Sequence, residues 1–392
     1  MKRVLFVCNN LDHGGIPKAL VNLLREIHRD YAVDLLLFYP WGPYLKDIPS
    51  DVRILPSEGL LPLLGMPQAI VQKQSKKQAA LRAFLVIWSR LFGNQLPRKW
   101  IFSTTSELSG YDTAVAFAQD NSSRAFAIGC NAYVLQKVKA KQKVTFVHCD
   151  FEQYGGNTRG NRKVYREFDR IACVSRGCRE AFLRVMPDLA GRTKIVYNCT
   201  DYGLIRKLAE ESAEEFEKEH CNLVSVSRIT PEKGHLRALK VMKRVMPEEP
   251  RLHWFVIGDG PCLEEFQAGI REAGLSERIH LLGMKDNPYC YMRQADALFL
   301  PSFHEAAPMV FDEAKTLGLP VLTTETTSSA RLIGLTGCGL VCENSEEGIE
   351  KGLRKILKEP ELLEQFRKKA EAQQLDNQVP REQWERLIRS EE

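Results

Sequence analysis

Glu305 and Glu313 stand eight positions apart on either side of a small-residue turn, Ala306-Ala307-Pro308. An ionised carboxylate accepts hydrogen bonds from several hydroxyls at once, so such a pair suits a sugar. The preceding run Ala297-Leu298-Phe299-Leu300 is apolar throughout and reads as a buried parallel strand. A helical pattern is expected to begin at the second glutamate. A strand, a tight turn and a helix start present free backbone N–H groups to an anion. The chemistry expected here is the holding of a sugar joined to a phosphate.

Five other strand-end turns carry residues of the same kind. Ser227–His235 places Arg228 and Lys233 five apart in a turn closed by Gly234. Two cations converging on one point can neutralise a diphosphate leaving group; the plainer reading is a surface arginine and lysine in a loop. Asp12–Ala19 holds Gly14 and Gly15 before Pro17, a pattern that lets backbone approach a bulky anion at a helix start. It is neither G-x-G-x-x-G nor a P-loop. Gly258, after the run Trp254–Ile257, leaves room for a flat group such as a nucleobase. Gly283 and Met284 can offer backbone donors and acceptors to its edge; taken alone, both are ordinary turns. His148 and Asp150 close the run Val144–Val147, where a histidine can donate to a sugar hydroxyl or assist proton transfer. No Asp-x-Asp triplet occurs in the chain, so a metal bridging a diphosphate is not expected.

The elements that must position these residues follow from the apolar pattern. Strands are expected at Val4–Val7, Ala32–Phe38, Thr113–Ala118, Val144–Val147, Ile171–Val174 and Ile195–Tyr197, with an amphipathic helix over Pro17–His28. The Glu-rich stretch Leu208–His220 reads as a linker. A second series begins at Leu223–Ser227 and continues at Trp254–Ile257, Ile279–Leu282, Ala297–Leu300 and Val321–Thr323. Strands alternating with helices imply parallel sheets covered on both faces. The fold class expected is α/β, two doubly wound Rossmann-like domains facing a central cleft, which is the default ligand site. The first domain spans 1–200 and the second 201–375. A last helix, about 376–392 and marked by Trp384, Leu387 and Ile388, is expected to pack back on the first domain.

The 392 residues are too many for one ordinary core. Net charge is +5, but residues 1–200 hold 29 basic against 16 acidic side chains, and the remainder 26 against 34. A basic first half fits an anionic membrane surface or lipid phosphate; no nucleic-acid-binding signature is present. Leu60–Phe92 mixes apolar runs with Lys73, Lys76, Lys77, Arg82 and Arg90, as a membrane-docking surface does; a core helix with a solvated basic face is the alternative. The 11 cysteines show no C-x2-C pair, which fits reduced thiols and a cytoplasmic setting. No apolar run is long enough to span a bilayer.

Together these residues resemble glycosyltransferase family 4, retaining enzymes of the GT-B fold, and most closely members that build capsular and exopolysaccharides. The resemblance rests on Glu305 and Glu313 as the E-x7-E pattern, Arg228 with Lys233, Gly14 with Gly15, and the segment Val147-His148-Cys149-Asp150-Phe151. It implies catalytic roles for His148, Arg228, Lys233 and Glu305. It implies donor contacts at Gly14, Gly15, Gly258, Gly283, Met284, Pro308, Met309, Val310 and Glu313, with Asp150 on the acceptor side. Many members carry glycine where this chain has Ala306, whose methyl narrows the room around the donor. The implied activity is metal- and cofactor-independent transfer of a sugar from a nucleoside-diphosphate sugar, UDP-linked, to a glycan or lipid-linked acceptor at the inner face of the cell membrane. A nucleotide-sugar 2-epimerase and a silent donor-binding partner subunit are the competing readings.

Overall fold

The computed structural model describes residues 1–120, 122–153 and 155–389, in two compact units. The first comprises Met1–Cys199 and the residues from Asn377 onward; the second is Thr200–Asp376. The first is built on β1 (Arg3–Cys8), β2 (Ala32–Leu37), β3 (Arg53–Leu55), β4 (Leu108–Ala116), β5 (Val138–Val147), β6 (Arg170–Cys173) and β7 (Thr193–Ile195). Its sheet runs β3-β2-β1-β4-β5-β6-β7, with every neighbouring pair parallel. The second unit is built on β8 (Cys221–Val226), β9 (Leu252–Ile257), β10 (Ile279–Gly283), β11 (Ala297–Leu300), β12 (Val321–Thr324) and β13 (Gly339–Cys342). Its order is β10-β9-β8-β11-β12-β13, again all parallel.

The central strands are short apolar runs because helices cover both faces of each sheet. Val4 to Val7 and Ala297 to Leu300 are all essentially inaccessible to solvent. In the second unit one face packs around Trp254, Phe266 and Leu353, the other around Leu298, Phe311 and Ile333. The helix Gln378–Ile388 lays a fully buried Trp384 on Phe6, rings 5.4 Å apart and near parallel. Of the tail expected over 376–392, residues 390–392 lie outside the described residues.

Beyond the early starts of β4 at Leu108 and β5 at Val138, ahead of the expected Thr113 and Val144, three details differ from the sequence-based expectation. The segment 208–220 is not a free linker. It follows the helix Tyr202–Ala209, and Phe216 is buried face to face on Phe255, centroids 3.7 Å apart. One aromatic anchor outweighs the surrounding glutamates. The strand expected at Ile195–Tyr197 is Thr193–Ile195; Tyr197 N–H leaves the sheet and donates to the Gln383 side-chain oxygen at 2.9 Å. The edge strands β3 and β13 carry no alternation long enough to read.

In each sheet the strand order reverses once, between β1 and β4 and between β8 and β11. Outside the carboxyl ends of strands at such a reversal, neighbouring loops diverge and leave room for a ligand. The Gly14–Gly15 turn follows β1. The turn 227–235 follows β8 and the turn 301–308 follows β11. Among the described residues no helix is long and apolar enough to cross a membrane.

Candidate functional site

The second unit draws Lys233 and Glu305 together. Lys233 Nζ lies 2.6 Å from Glu305 Oε1, and Ser302 Oγ donates to the same oxygen at 2.7 Å. Glu305 is buried and Lys233 largely so. Glu305 Oε2 has no partner among the described residues. One carboxylate oxygen is thus fixed by two donors while the other stays available to a hydroxyl. Of the two cations expected to form a clamp, Lys233 engages Glu305, and Arg228, mostly exposed, faces Glu232 at 3.6 Å.

The turns bearing the pair are tied by backbone. Phe303 N–H donates to the Glu232 carbonyl at 2.8 Å. Gly234 is left-handed at φ 74°, and a Cβ there would lie 2.0 Å from the Pro301 carbonyl oxygen. Arg237, buried on the helix His235–Val245, donates to the Pro301 carbonyl at 3.0 and 2.8 Å and to the Ser302 carbonyl at 2.9 Å. Its guanidinium lies 3.7 Å from the centre of the Phe303 ring. Burial lowers its pKa to about 10, which leaves it charged at neutral pH. Asn344 adds bonds to the Phe303 and Glu325 carbonyls. Sequence reasoning misses Arg237, Ser302 and Asn344; the one readable signal is a basic residue among the apolar positions of a buried helix. Arg237→Ala is expected to cost about 3 kcal/mol of stability, since several charge-assisted bonds to buried carbonyls go unreplaced. Arg237→Lys should recover only part, because an ammonium lacks the planar fork. Urea unfolding of the three proteins checks this.

The helix Met309–Thr316 opens four residues earlier than the glutamate expected to begin it, so Glu313 sits buried inside it. Met309 and Val310 supply its first N–H groups, after Pro308 at the cap. Gly258 needs a different explanation from the one its sequence suggests. Its φ is 154° and a Cβ would meet the Ser227 carbonyl oxygen at 1.9 Å. The glycine lets two loops touch; it does not clear space for a base. Gly283, at φ 69°, has nothing within 4 Å of its missing Cβ. Its carbonyl accepts from Gly258 N–H at 2.9 Å, and Met284 beside it is exposed.

In the first unit Gly14, which has no side chain to cap with, precedes the helix Gly15–Ile27. His148, half-buried after β5, has its backbone N–H on the Gln119 side-chain oxygen and its Nε2 2.9 Å from the Phe117 carbonyl. A carbonyl only accepts, so Nε2 carries the proton. Burial lowers the His148 pKa to about 4, against the partial support of that carbonyl. The Nε2 proton is therefore already engaged and not free for the expected donation to a sugar hydroxyl, and the ring is neutral at pH 7. What remains is Nδ1, an acceptor with no partner among the described residues. Asp150 Oδ1 accepts from the N–H groups of Glu152 and Gln153, capping its own turn.

His235 and His253 are likewise lowered to about 4, first by burial, then by Lys233 in one case and by His220 and His280 in the other. All three histidines fold neutral, whereas an unfolded imidazole titrates near the ordinary value of 6.5. Between pH 6.5 and 4 the unfolded chain binds more protons, so stability is complete above that window and falls as pH drops through it. Melting temperatures recorded between about pH 8 and about pH 4.5 should decline only below pH 6.5, for a loss on the order of a few kcal/mol. Among the described residues no group of three or more His, Cys, Asp or Glu is arranged to hold a metal ion.

Residues 208–373, which contain all of the second-unit site, match the family model "Glycosyl transferases group 1". A protein of Methanocaldococcus jannaschii described as an uncharacterized glycosyltransferase is 30% identical over 152 residues, 37% of each chain. The Campylobacter jejuni N-acetylgalactosamine-N,N'-diacetylbacillosaminyl-diphospho-undecaprenol 4-alpha-N-acetylgalactosaminyltransferase is 26% identical over 209 residues, 53% of this chain and 56% of that one. The chain thus spans between about a third and just over half the length of these curated relatives. The crystal structure of Anabaena HepE in complex with UDP and glucose superposes with a TM-score of 0.71 at 17% identity, over 99% of both chains. At that identity the likeness establishes the shared two-sheet fold.

Proposed function

We propose, from the premise that residues 208–373 are a group 1 glycosyl transferase domain in a chain of the GT-B, family 4-like type, that this protein moves a sugar from a nucleoside diphosphate to a hydroxyl acceptor with retention at the anomeric carbon. The observation that carries the reading is the Lys233–Glu305 pair at the reversal of the second sheet. Glu305 Oε2 takes a donor-sugar hydroxyl, Lys233 faces the diphosphate, and the N–H groups of the Met309 helix start donate to a phosphate oxygen. Arg228, exposed and only loosely engaged with Glu232, can swing to the same diphosphate at little cost. Glu313 holds the ribose, and the open side of Gly283 admits the base. UDP is the nucleotide of choice because HepE, which shares the fold, was crystallised with UDP and glucose.

The sugar–phosphate C–O bond breaks, the acceptor oxygen bonds to the same carbon on the same face, and the acceptor proton passes to the departing phosphate. No protein carboxylate attacks. Catalysis rests on position and on charge neutralisation. The neutral His148 orients a hydroxyl by accepting its proton in a hydrogen bond at Nδ1.

Incubating the protein with purified UDP-, GDP- and ADP-sugars and following nucleotide release tests this. One donor should be hydrolysed slowly without acceptor, with UDP released and the sugar's configuration kept. Recovery of an epimerised donor, or UDP binding with no turnover of any donor by any acceptor, would overturn it.

A further inference from the structure

The helix Lys76–Phe92 carries two apolar stripes where a surface helix needs one. At 100° per residue, Arg82, Leu85 and Ser89 share one face and are buried. Arg82 ties that face down by donating to the Leu63 and Met66 carbonyls. The opposite face holds Phe84, Ile87 and Leu91, which are 57, 57 and 65% exposed. Trp88 bridges Phe84 and Phe92 along its edge, ring centres 6.0 and 5.0 Å away. The next helix, Gln95–Ser103, exposes Leu96 and Trp100 one turn apart. A solvated face would be polar at these positions; an exposed apolar stripe of this extent marks a surface that meets something else.

Charge says what it meets. From residue 59 to residue 106 there is no Asp or Glu. Of the basic side chains in that span, Arg98 pairs with Asp120 and Arg82 is buried on carbonyls. Lys73, Lys76, Lys77, Arg90 and Lys99 are exposed, with no carboxylate partner among the described residues. Exposed aromatics rimmed by unpaired cations complement a surface that is apolar within and anionic at its edge. We propose that this face docks on an anionic lipid bilayer, with Phe84, Ile87 and Leu91 entering the acyl boundary and the lysines reaching the headgroup phosphates. A protein partner would instead have to bring its own acidic groups, set around an apolar groove. The inference does not depend on the proposed reaction.

The test is sedimentation of the full chain with vesicles of phosphatidylcholine, alone or with about 30% phosphatidylglycerol. Binding should be at least about 10-fold tighter to the anionic vesicles and should fall by about 10-fold between roughly 0.05 M and 0.5 M salt. Phe84→Ser/Ile87→Ser/Leu91→Ser should lower binding to anionic vesicles about 10-fold or more, while the fold loses little because all three side chains are mostly in water. An unchanged melting temperature confirms that the variant is folded. Lys73→Gln/Lys76→Gln/Lys77→Gln should abolish most of the preference for anionic lipid. The proposal fails if the unaltered protein binds neither vesicle, if it binds both equally, or if the triple serine variant binds as tightly. It also fails if the unaltered protein is a dimer that the serine variant dissociates, since a second copy would then be the occupant.

Discussion

Lys233→Met should lower kcat/KM for sugar transfer about 10²–10³-fold and also destabilise the second unit. The two losses have different origins. Lys233 and the buried Glu305 meet at 2.6 Å, and removing one partner of such a pair leaves a charge without compensation, typically at about 3–5 kcal/mol. Ser302 continues to donate to Glu305 Oε1, so the lower end of that range is expected. The loss of rate reflects the missing cation at the leaving group, for which one preorganised donor is worth about 3–4 kcal/mol. The double variant Lys233→Met/Glu305→Gln separates them. With no buried charge left unpaired, its melting temperature should return most of the way to that of the unaltered protein, while turnover stays at or below that of the single variant. Melting curves and initial rates on the same samples give both numbers. A Lys233→Met protein that turns over normally would show that the lysine serves only to hold Glu305.

Both members of that pair are legible in the sequence because each lies just past an apolar run, and the carboxyl ends of two neighbouring parallel strands lie side by side where the sheet order reverses. The strands themselves are readable for the same reason: Val4–Val7 and Ala297–Leu300 are buried on both faces and apolar at every position. What escapes the sequence is whatever depends on backbone meeting backbone. Arg237 works through the Pro301 and Ser302 carbonyls, groups that every residue carries. Gly258 looks like space for a ligand because its need arises only where the Ser227 carbonyl crosses it. The glutamates of 208–220 suggest a solvated linker, yet Phe216 alone fixes the segment on Phe255. His148 looks like a proton donor, and only the Phe117 carbonyl reveals that its Nε2 proton is engaged.

Gly234→Ala is the backbone counterpart of the Lys233 experiment and should be nearly as damaging, although it removes no functional group. The residue is left-handed, at φ 74°, which costs an alanine about 1–2 kcal/mol. The larger penalty is steric. The new Cβ would sit 2.0 Å from the Pro301 carbonyl oxygen, so the turn after β8 must lift away from the turn after β11. That movement strains the Phe303–Glu232 backbone bond and draws Lys233 off Glu305. A total of about 4 kcal/mol or more is expected, within the range that single backbone-clash variants reach. It should appear as a fall in melting temperature on the order of 10 °C for a unit of this size. Gly283→Ala is the control: its φ is also positive, at 69°, but nothing lies within 4 Å of its Cβ, so only the conformational cost of about 1–2 kcal/mol applies. If the two variants melt together, close approach of the turns is not what Gly234 provides. If Gly234→Ala alone collapses, the grip of Lys233 on Glu305 depends on a hydrogen atom in place of a methyl group one residue away.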